Sequence, residues 1–475
     1  MMMDFYEMTM SYGYFRQTHG DVRVAFDLFF RSVPDRGGYA VFAGLEHVIE
    51  FVENLSFSDE DIDYFRAQNL FSEEFLSFLR GFRFRGDIYA VPEGAIIYPN
   101  EPLMTIVAPI IDAQLIETAI LAQINHQSLI ATKASRIVRA AEGRKVSDFG
   151  ARRAHNMDAA TYGARAAYIG GVDMTATVSA GQQFGIPISG TMAHSWVMFF
   201  EDEFTAFKKY AELYPQATVL LVDTYDVLHS GIPNAIRTAH EVLAPRGHRL
   251  AGVRIDSGDL AYLSKRVRTM LDDAGLTDCK IILSNSLDEF TISSLLLQGA
   301  QVDSFGVGER LITAKSDPVF GAVYKLVAVE KDGVFAPRIK MSENVEKLTN
   351  PGIKDLYRIY DRHGKAVADM LALQGEEIDL TKPFRYVDPR KPWKNRFFEG
   401  FSAVNLRRLY VRSGKRVEQL PTLEEIRCYV QKQLAEEIWP EEQRFENPHR
   451  HYLDMTPDYY ELKMGLLDEV RGKHS

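Results

Sequence analysis

From residue 145 onward, short apolar runs alternate with longer stretches whose apolar residues fall three and four apart. The runs are KVSDFG (145–150), GVDMTAT (171–177), GIPISGT (185–191), ATVLLVDTYD (217–226), LAGVRIDSGD (250–259), KIILSNS (280–286) and VDSFGVG (302–308). Runs of this length bounded by Gly, Asp and Asn predict buried strands. The intervening stretches at 160–169, 197–214, 233–242, 264–273 and 289–298 predict helices. Alternating strands and helices imply parallel strands joined by right-handed crossovers. This many units favour a closed or nearly closed α/β barrel over an open doubly wound sheet. A later run, GAVYKLVAVE at 321–330, either closes the set or leads out of it.

The flanking regions have a different texture. Residues 45–55, LEHVIEFVENL, have amphipathic helical spacing, and Ser58 and Ser72 each precede acids at the start of a short helix. Residues 86–108 alternate strand-like runs with Pro-Glu-Gly and Pro-Asn-Glu-Pro turns, and 111–142 lack Gly and Pro, as one or two long helices would. Past residue 335 the chain is polar and turn-rich, as in KMSENVEKLTNPG (340–352) and DPRKPWKNRFFEG (388–400), before helical spacing returns at 423–436. The expected division is an N-terminal α+β lobe with linking helices (1–140), an α/β barrel (141–335) and a C-terminal segment (336–475) that completes the smaller lobe, since chain termini often lie close together.

Composition narrows the function classes. A chain of 475 residues with 46% hydrophobic positions can bury a substantial core and is no disordered polymer. Its net charge of −10 argues against nonspecific binding to nucleic acid or an anionic membrane, yet leaves room for a local basic pocket around a phosphorylated small molecule. Two cysteines, Cys279 and Cys428, rule out a disulfide framework and a Cys-based zinc site. With neither a signal-peptide pattern at the first residues nor a membrane-length apolar run, the expected location is the cytoplasm.

The chemistry sits at the strand ends. Nearly every run closes on a polar residue or glycine: Asp148, Asp173, Thr191, Asp223, Arg254 with Asp256, Asn285, and Gly306 with Gly308. Strand C-termini of an α/β barrel converge on one face, so these positions would ring one pocket. Taken singly, each is also an ordinary turn former or helix cap. In VRIDSGDL, Arg254 can fork onto a carboxylate or phosphate, while Asp256 and Asp259 suit sugar hydroxyls or Mg²⁺. FGVGERLIT offers a Gly-x-Gly turn of the kind that brings backbone N–H groups to phosphate. His194 in GTMAHSW is a candidate general base, metal ligand or phosphoryl acceptor, or simply a loop histidine. Phe149 with Arg152 and Arg153 pairs an aromatic face with two cations, which suits a flat anionic ring.

SDFGARRAHNMDAA, GGVDMTATVSAG, GTMAHSW, VDTYD, VRIDSGDL, SNSLDE and FGVGERLIT occur in one order that strongly resembles the nicotinate phosphoribosyltransferase family. The likeness extends from DFYEMTMSYGYF near the start through GAVYKLVAVE. The resemblance implies an irregular α/β barrel with a smaller lobe made from both chain ends. It also implies transfer from 5-phosphoribosyl-1-pyrophosphate to nicotinate, ATP hydrolysis through a phosphohistidine, Mg²⁺ on the pyrophosphate, and a homodimer with shared active sites. On that pattern His194 is the phosphorylated histidine and Asp223 orients it or Mg²⁺. Tyr6, from the partner subunit, and Phe149 sandwich the pyridine ring. Thr191 and Arg254 contact nicotinate, and Asp173 sits where the related nicotinamide enzyme addresses the ring substituent. Gly306 and Gly308 approach the 5-phosphate, Asp256 and Gly258 the ribose and pyrophosphate, and Arg152 and Arg153 a phosphate. Apart from the family pattern, Lys315, Lys325 and Lys340 read equally as phosphate-reaching cations or as ordinary surface residues. One position departs from the pattern: Glu309 replaces a Thr common in the family, and its charge is expected to turn toward a cation such as Arg310.

The nearest rival is the same fold acting on nicotinamide, whose neutral amide needs an acceptor such as Asp173 and no cation. A quinolinate-type transferase is shorter and lacks the histidine. A phosphate-ligand sensor would not need His194, and an aldolase-type barrel would need a strand-end lysine that these runs lack.

Overall fold

A computed structural model describes residues 2–18, 20–340, 348–378, 384–387, 395–398 and 400–474. Two stretches singled out above fall partly outside the described residues: 341–347 of KMSENVEKLTNPG, and 388–394 and 399 of DPRKPWKNRFFEG. Two compact units result, Ile130–Pro318 and a second one joining Met1–Leu129 to Val319–Ser475, the latter larger by residue count.

The first unit is mixed α/β around a parallel sheet. Its strands are β1 (Lys145–Asp148), β2 (Met174–Thr175), β3 (Val219–Leu221), β4 (Gly252–Ile255), β5 (Lys280–Ser284) and β6 (Ser304–Val307), ordered β2-β1-β6-β5-β4-β3. Every neighbouring pair is parallel. Between the strands run α1 (Met157–Ile169), α2 (His194–Phe199), α3 (Glu203–Leu213), α4 (Leu260–Asp273) and α5 (Glu289–Leu297), together with a broken helical stretch over 227–246. Asn156, Asp202, Asp259 and Asp288 cap α1, α3, α4 and α5, each accepting a backbone N–H three residues on. Asp259 is therefore a cap, the ordinary reading of an acid after a strand.

The sheet is a half-barrel with edges at β2 and β3. Closure fails at the run 185–191, which contributes only an isolated bridge between Ile188 and Thr175. Pro187 there has no N–H to give a ladder, and the flanking Gly and Ser residues weaken strand formation. The run at 321–330 leads out of the sheet. Its strand, Val323–Lys331, pairs antiparallel with Arg23–Phe29 in the other unit, and Tyr324 stacks on Phe26 with ring centroids 4.6 Å apart. Chain from Val319 onward thus belongs to the unit made from the two ends.

That second unit contains a seven-stranded and a six-stranded sheet. Its helix Leu45–Asn54 follows the amphipathic spacing, and Asp59–Ala67 and Glu73–Arg80 begin after the predicted caps Ser58 and Ser72, with Ser58 and Asp61 forming a reciprocal capping box. The stretch lacking Gly and Pro becomes the helices Ile110–Gln114 and Glu117–Ala140. Among the described residues no helix is long and apolar enough to cross a membrane.

Candidate active site

The C-terminal ends of β1, β4, β5 and β6 and the loop after β3 carry the polar residues. Parallel pairing in register aligns these ends, because β5 is hydrogen-bonded between β4 and β6. Arg254, on β4 with a side chain 13% exposed, is held at all three guanidinium nitrogens. Its Nε donates to Ser284 Oγ (2.8 Å), Nη1 to Thr191 Oγ1 (3.1 Å) and Nη2 to Asp256 Oδ1 (2.9 Å). The guanidinium carbon also lies 5.0 Å from the centre of the Phe149 ring. A guanidinium presents planar, forked N–H donors, the arrangement that grips carboxylates.

A second cluster adjoins the first. His194 Nε2 lies 3.3 Å from Asp223 Oδ1, and Asp223 Oδ2 accepts from Ser257 Oγ (2.6 Å) and the backbone N–H of Asp256 (3.1 Å). The turn at 256–257 therefore joins the Arg254 cluster to the histidine pair. The Asp223 side chain is buried while His194 is 41% exposed, so the imidazole reaches outward from a fixed anion. Neither His194 Nδ1 nor Asp256 Oδ2 makes a hydrogen bond among the described residues, which leaves both open to a ligand.

Glycine shapes the floor. A Cβ on Gly306 would come within 2.5 Å of two Phe149 ring carbons, so only glycine lets that ring lie over β6. Gly258 has φ +81°, a left-handed turn that carries the chain from Asp256 into α4. Gly308 follows β6 and faces the Phe149 carbonyl. Beneath them, Asp148 is fully buried, accepting from Gly150 N and Thr175 Oγ1 at 2.8 Å each; burial raises its pKa against those two hydrogen bonds.

Several expected residues sit elsewhere. The Asp173 carboxylate accepts from Val146 N at 2.9 Å, on the first half of β1 and so toward the opposite end of the strand from Asp148. Arg152 and Arg153 lie in a short 3₁₀ turn after Phe149-Gly150 and are exposed; Arg153 lines an open cavity of about 440 Å³ with His155, Glu309, Thr313 and Lys315. Glu309 turns to a cation as expected, but the partner is Lys315 (2.6 Å), whereas Arg310 pairs with Asp288. Lys315, followed by Coulomb attraction from Arg153 and Arg310, holds the Glu309 pKa below its usual range. Lys325 donates to the carbonyl of Tyr324. Tyr6 belongs to the other unit, on helix Phe5–Thr18, where burial first and Glu117 second raise its phenol pKa.

Ser257 and Ser284, whose hydroxyls hydrogen-bond Asp223 and Arg254, are the site residues that sequence reasoning passed over. Both lie inside quoted motifs, but a serine after a strand reads as a turn former until its partners are known. Asn285 (φ +101°) and Ser286 (φ +47°) then leave β5 in consecutive left-handed conformations, strain of the kind that collects at binding sites.

Comparison with known proteins identifies the family. The nicotinate phosphoribosyltransferase (NAPRTase) N-terminal domain matches residues 1–125, the NAPRTase family 144–349, and the nicotinate phosphoribosyltransferase C-terminal domain 353–463. The chain belongs to the nicotinate phosphoribosyltransferase family. Nicotinate phosphoribosyltransferase of Bacillus subtilis is 46% identical over 473 residues, spanning 99% of this chain and 95% of its own. The Caenorhabditis elegans enzyme of that name is 34% identical, spanning 97% and 92%. In fold, the crystal structure of human nicotinic acid phosphoribosyltransferase superposes with TM-score 0.87 at 29% identity, covering 98% of this chain and all of its own.

Proposed function

We propose that this chain transfers the 5-phosphoribosyl group of phosphoribosyl pyrophosphate to the ring nitrogen of nicotinate, releasing nicotinate mononucleotide and pyrophosphate for NAD biosynthesis. The observation that carries the reading is Arg254: a guanidinium hydrogen-bonded at all three nitrogens, its carbon 5.0 Å from the centre of the Phe149 ring, at the strand ends near His194 and Asp223. A pyridine carboxylate needs such a cation and an aromatic platform. Asp173 supports the acid over the amide, because its carboxylate is tied to the β1 backbone.

The chemistry asks for positioning and charge neutralisation. The C–O bond from the anomeric carbon to pyrophosphate breaks as the C–N bond to nicotinate forms, with positive charge building on the ribose. Asp256 Oδ2 faces that charge or a ribose hydroxyl, while Gly306, Gly308 and Gly258 give backbone access to phosphate, and Arg152 and Arg153 add positive charge. Among the described residues no group of three or more His, Cys, Asp or Glu side chains is placed to hold a metal. Mg²⁺ would therefore arrive with the pyrophosphate, whose oxygens supply ligands of the kind it prefers.

The reading includes ATP coupling. With Nε2–H directed at Asp223, the Nδ1 lone pair of His194 accepts the γ-phosphoryl group: an N–P bond forms, ADP leaves, and water later releases phosphate. The phosphorylated ring adds a charge of about −1.5 to −2 beside the pyrophosphate site. Tyr6 would complete the ring sandwich from a second subunit of a homodimer.

The test is nucleotide formation from phosphoribosyl pyrophosphate with nicotinate or nicotinamide, each with and without ATP and Mg²⁺. Nicotinate mononucleotide formed from the acid and increased by ATP supports the reading. A preference for nicotinamide overturns the substrate and the role given to Arg254, and ATP turnover indifferent to nicotinate overturns the coupling.

A further inference from the structure

The hydroxyl of Ser284 stands where two site groups meet. It accepts from Arg254 Nε at 2.8 Å and donates to Asp256 Oδ1 in a short contact, and Arg254 Nη2 closes the ring on the same oxygen at 2.9 Å. Chemistry fixes the direction of that proton, because a guanidinium cannot accept and an ionised carboxylate cannot donate. Ser284 is only 2% exposed and ends β5, so no solvent competes for its hydroxyl. The left-handed residues Asn285 and Ser286 hold the strand exit in one course. We propose that Ser284 is a positioning residue for the transfer, setting the plane of Arg254 so that one N–H on each terminal nitrogen stays aimed at the substrate carboxylate. Without the hydroxyl, Nε loses its acceptor and Asp256 Oδ1 loses one of its two donors. Both site groups then loosen together. This inference rests on the nicotinate reading above.

The test compares Ser284→Ala, Arg254→Lys and the double variant, with melting temperature recorded for each. Loss of one hydrogen bond to a charged group predicts about a tenfold rise in the KM for nicotinate in Ser284→Ala. The preference for nicotinate over nicotinamide falls with it. In the Arg254→Lys background, where the fork is already absent, adding Ser284→Ala changes that KM less than about twofold. Ser284→Cys keeps the size of the residue with a weaker hydrogen bond, gives an intermediate KM, and serves if the alanine variant fails to fold. An unchanged nicotinate KM in an active Ser284→Ala or Ser284→Cys variant, or effects of the two substitutions that simply multiply, overturns the proposal alone. A wild-type chain that makes no nucleotide from nicotinate overturns the functional reading and this proposal with it.

Discussion

At the scale of single residues, the site depends on an absence as much as on its charges. Gly306 leaves the volume that the Phe149 ring fills, and a methyl group there would lie 2.5 Å from the ring carbons. Gly306→Ala must displace the Phe149 ring, so a rise in nicotinate KM is expected. Overpacking of this kind costs roughly 1–3 kcal/mol of stability, which thermal unfolding would register. His194 carries a separate part of the function. His194→Ala should abolish nicotinate-stimulated ATP turnover while leaving weak transferase activity at high substrate concentration. Unchanged ATP turnover in that variant would remove the histidine from the coupling.

At the scale of elements, the half-barrel uses the acid after a strand in two ways. Asp223 and Asp256 turn into the site, whereas Asp259 and Asp288 cap the next helix. Asp288 also receives Arg310 from the segment after β6, so one carboxylate anchors both α5 and that segment. Burial opposes its charge, but the hydrogen bonds from Thr291 and Arg310 outweigh burial and lower its pKa. A lowered pKa means stability that is present above the unfolded value, about 3.9, and is lost as pH falls through the folded one. Asp288→Ala should cost about 1 kcal/mol at neutral pH from the lost cap alone. Asp288→Asn, which keeps a capping oxygen, should cost less there and shift the acid limb of the melting curve. An acid limb identical to wild type in both variants would contradict this. The start of α5 at Glu289 was legible in sequence, whereas periodicity placed the start of α4 at 264, four residues past the Leu260 that follows its cap.

At the scale of the whole molecule, the unit made from both chain ends is tied by a buried polar network. Arg358 binds Asp369 through two nitrogens (2.9 and 2.7 Å), Tyr98 donates to Glu442 (2.7 Å), and His451 stacks on Tyr98 at 3.8 Å with Nδ1 3.1 Å from Glu442. Glu101, whose pKa burial raises well above the ordinary value, lies beside the same Asp369. Burial alone would lower the His451 pKa, but Asp369 and Glu442 outweigh it and raise the value. The sign follows: the contribution of His451 is complete below its unfolded value of about 6.5 and is lost as pH rises through the higher folded one. The melting temperature should therefore decline as pH rises above about 6.5, and His451→Gln should flatten that decline; an identical slope would assign it to other groups. The sequence by itself determined the alternation of strands and helices, the caps at Ser58 and Ser72 and the polar residues that follow the strands. Those features follow from local period and short-range hydrogen bonds. Only tertiary structure decided which of the polar residues meet. Arg254 and Ser284 stand 30 positions apart and share a hydrogen bond because β4 and β5 pair in register. Asp173 flanks an apolar run as Asp223 does, yet faces the other end of a strand. Glu309 found Lys315 rather than its neighbour Arg310. Periodicity reports whether a residue is buried on its own element, and only the packing of elements chooses its partner.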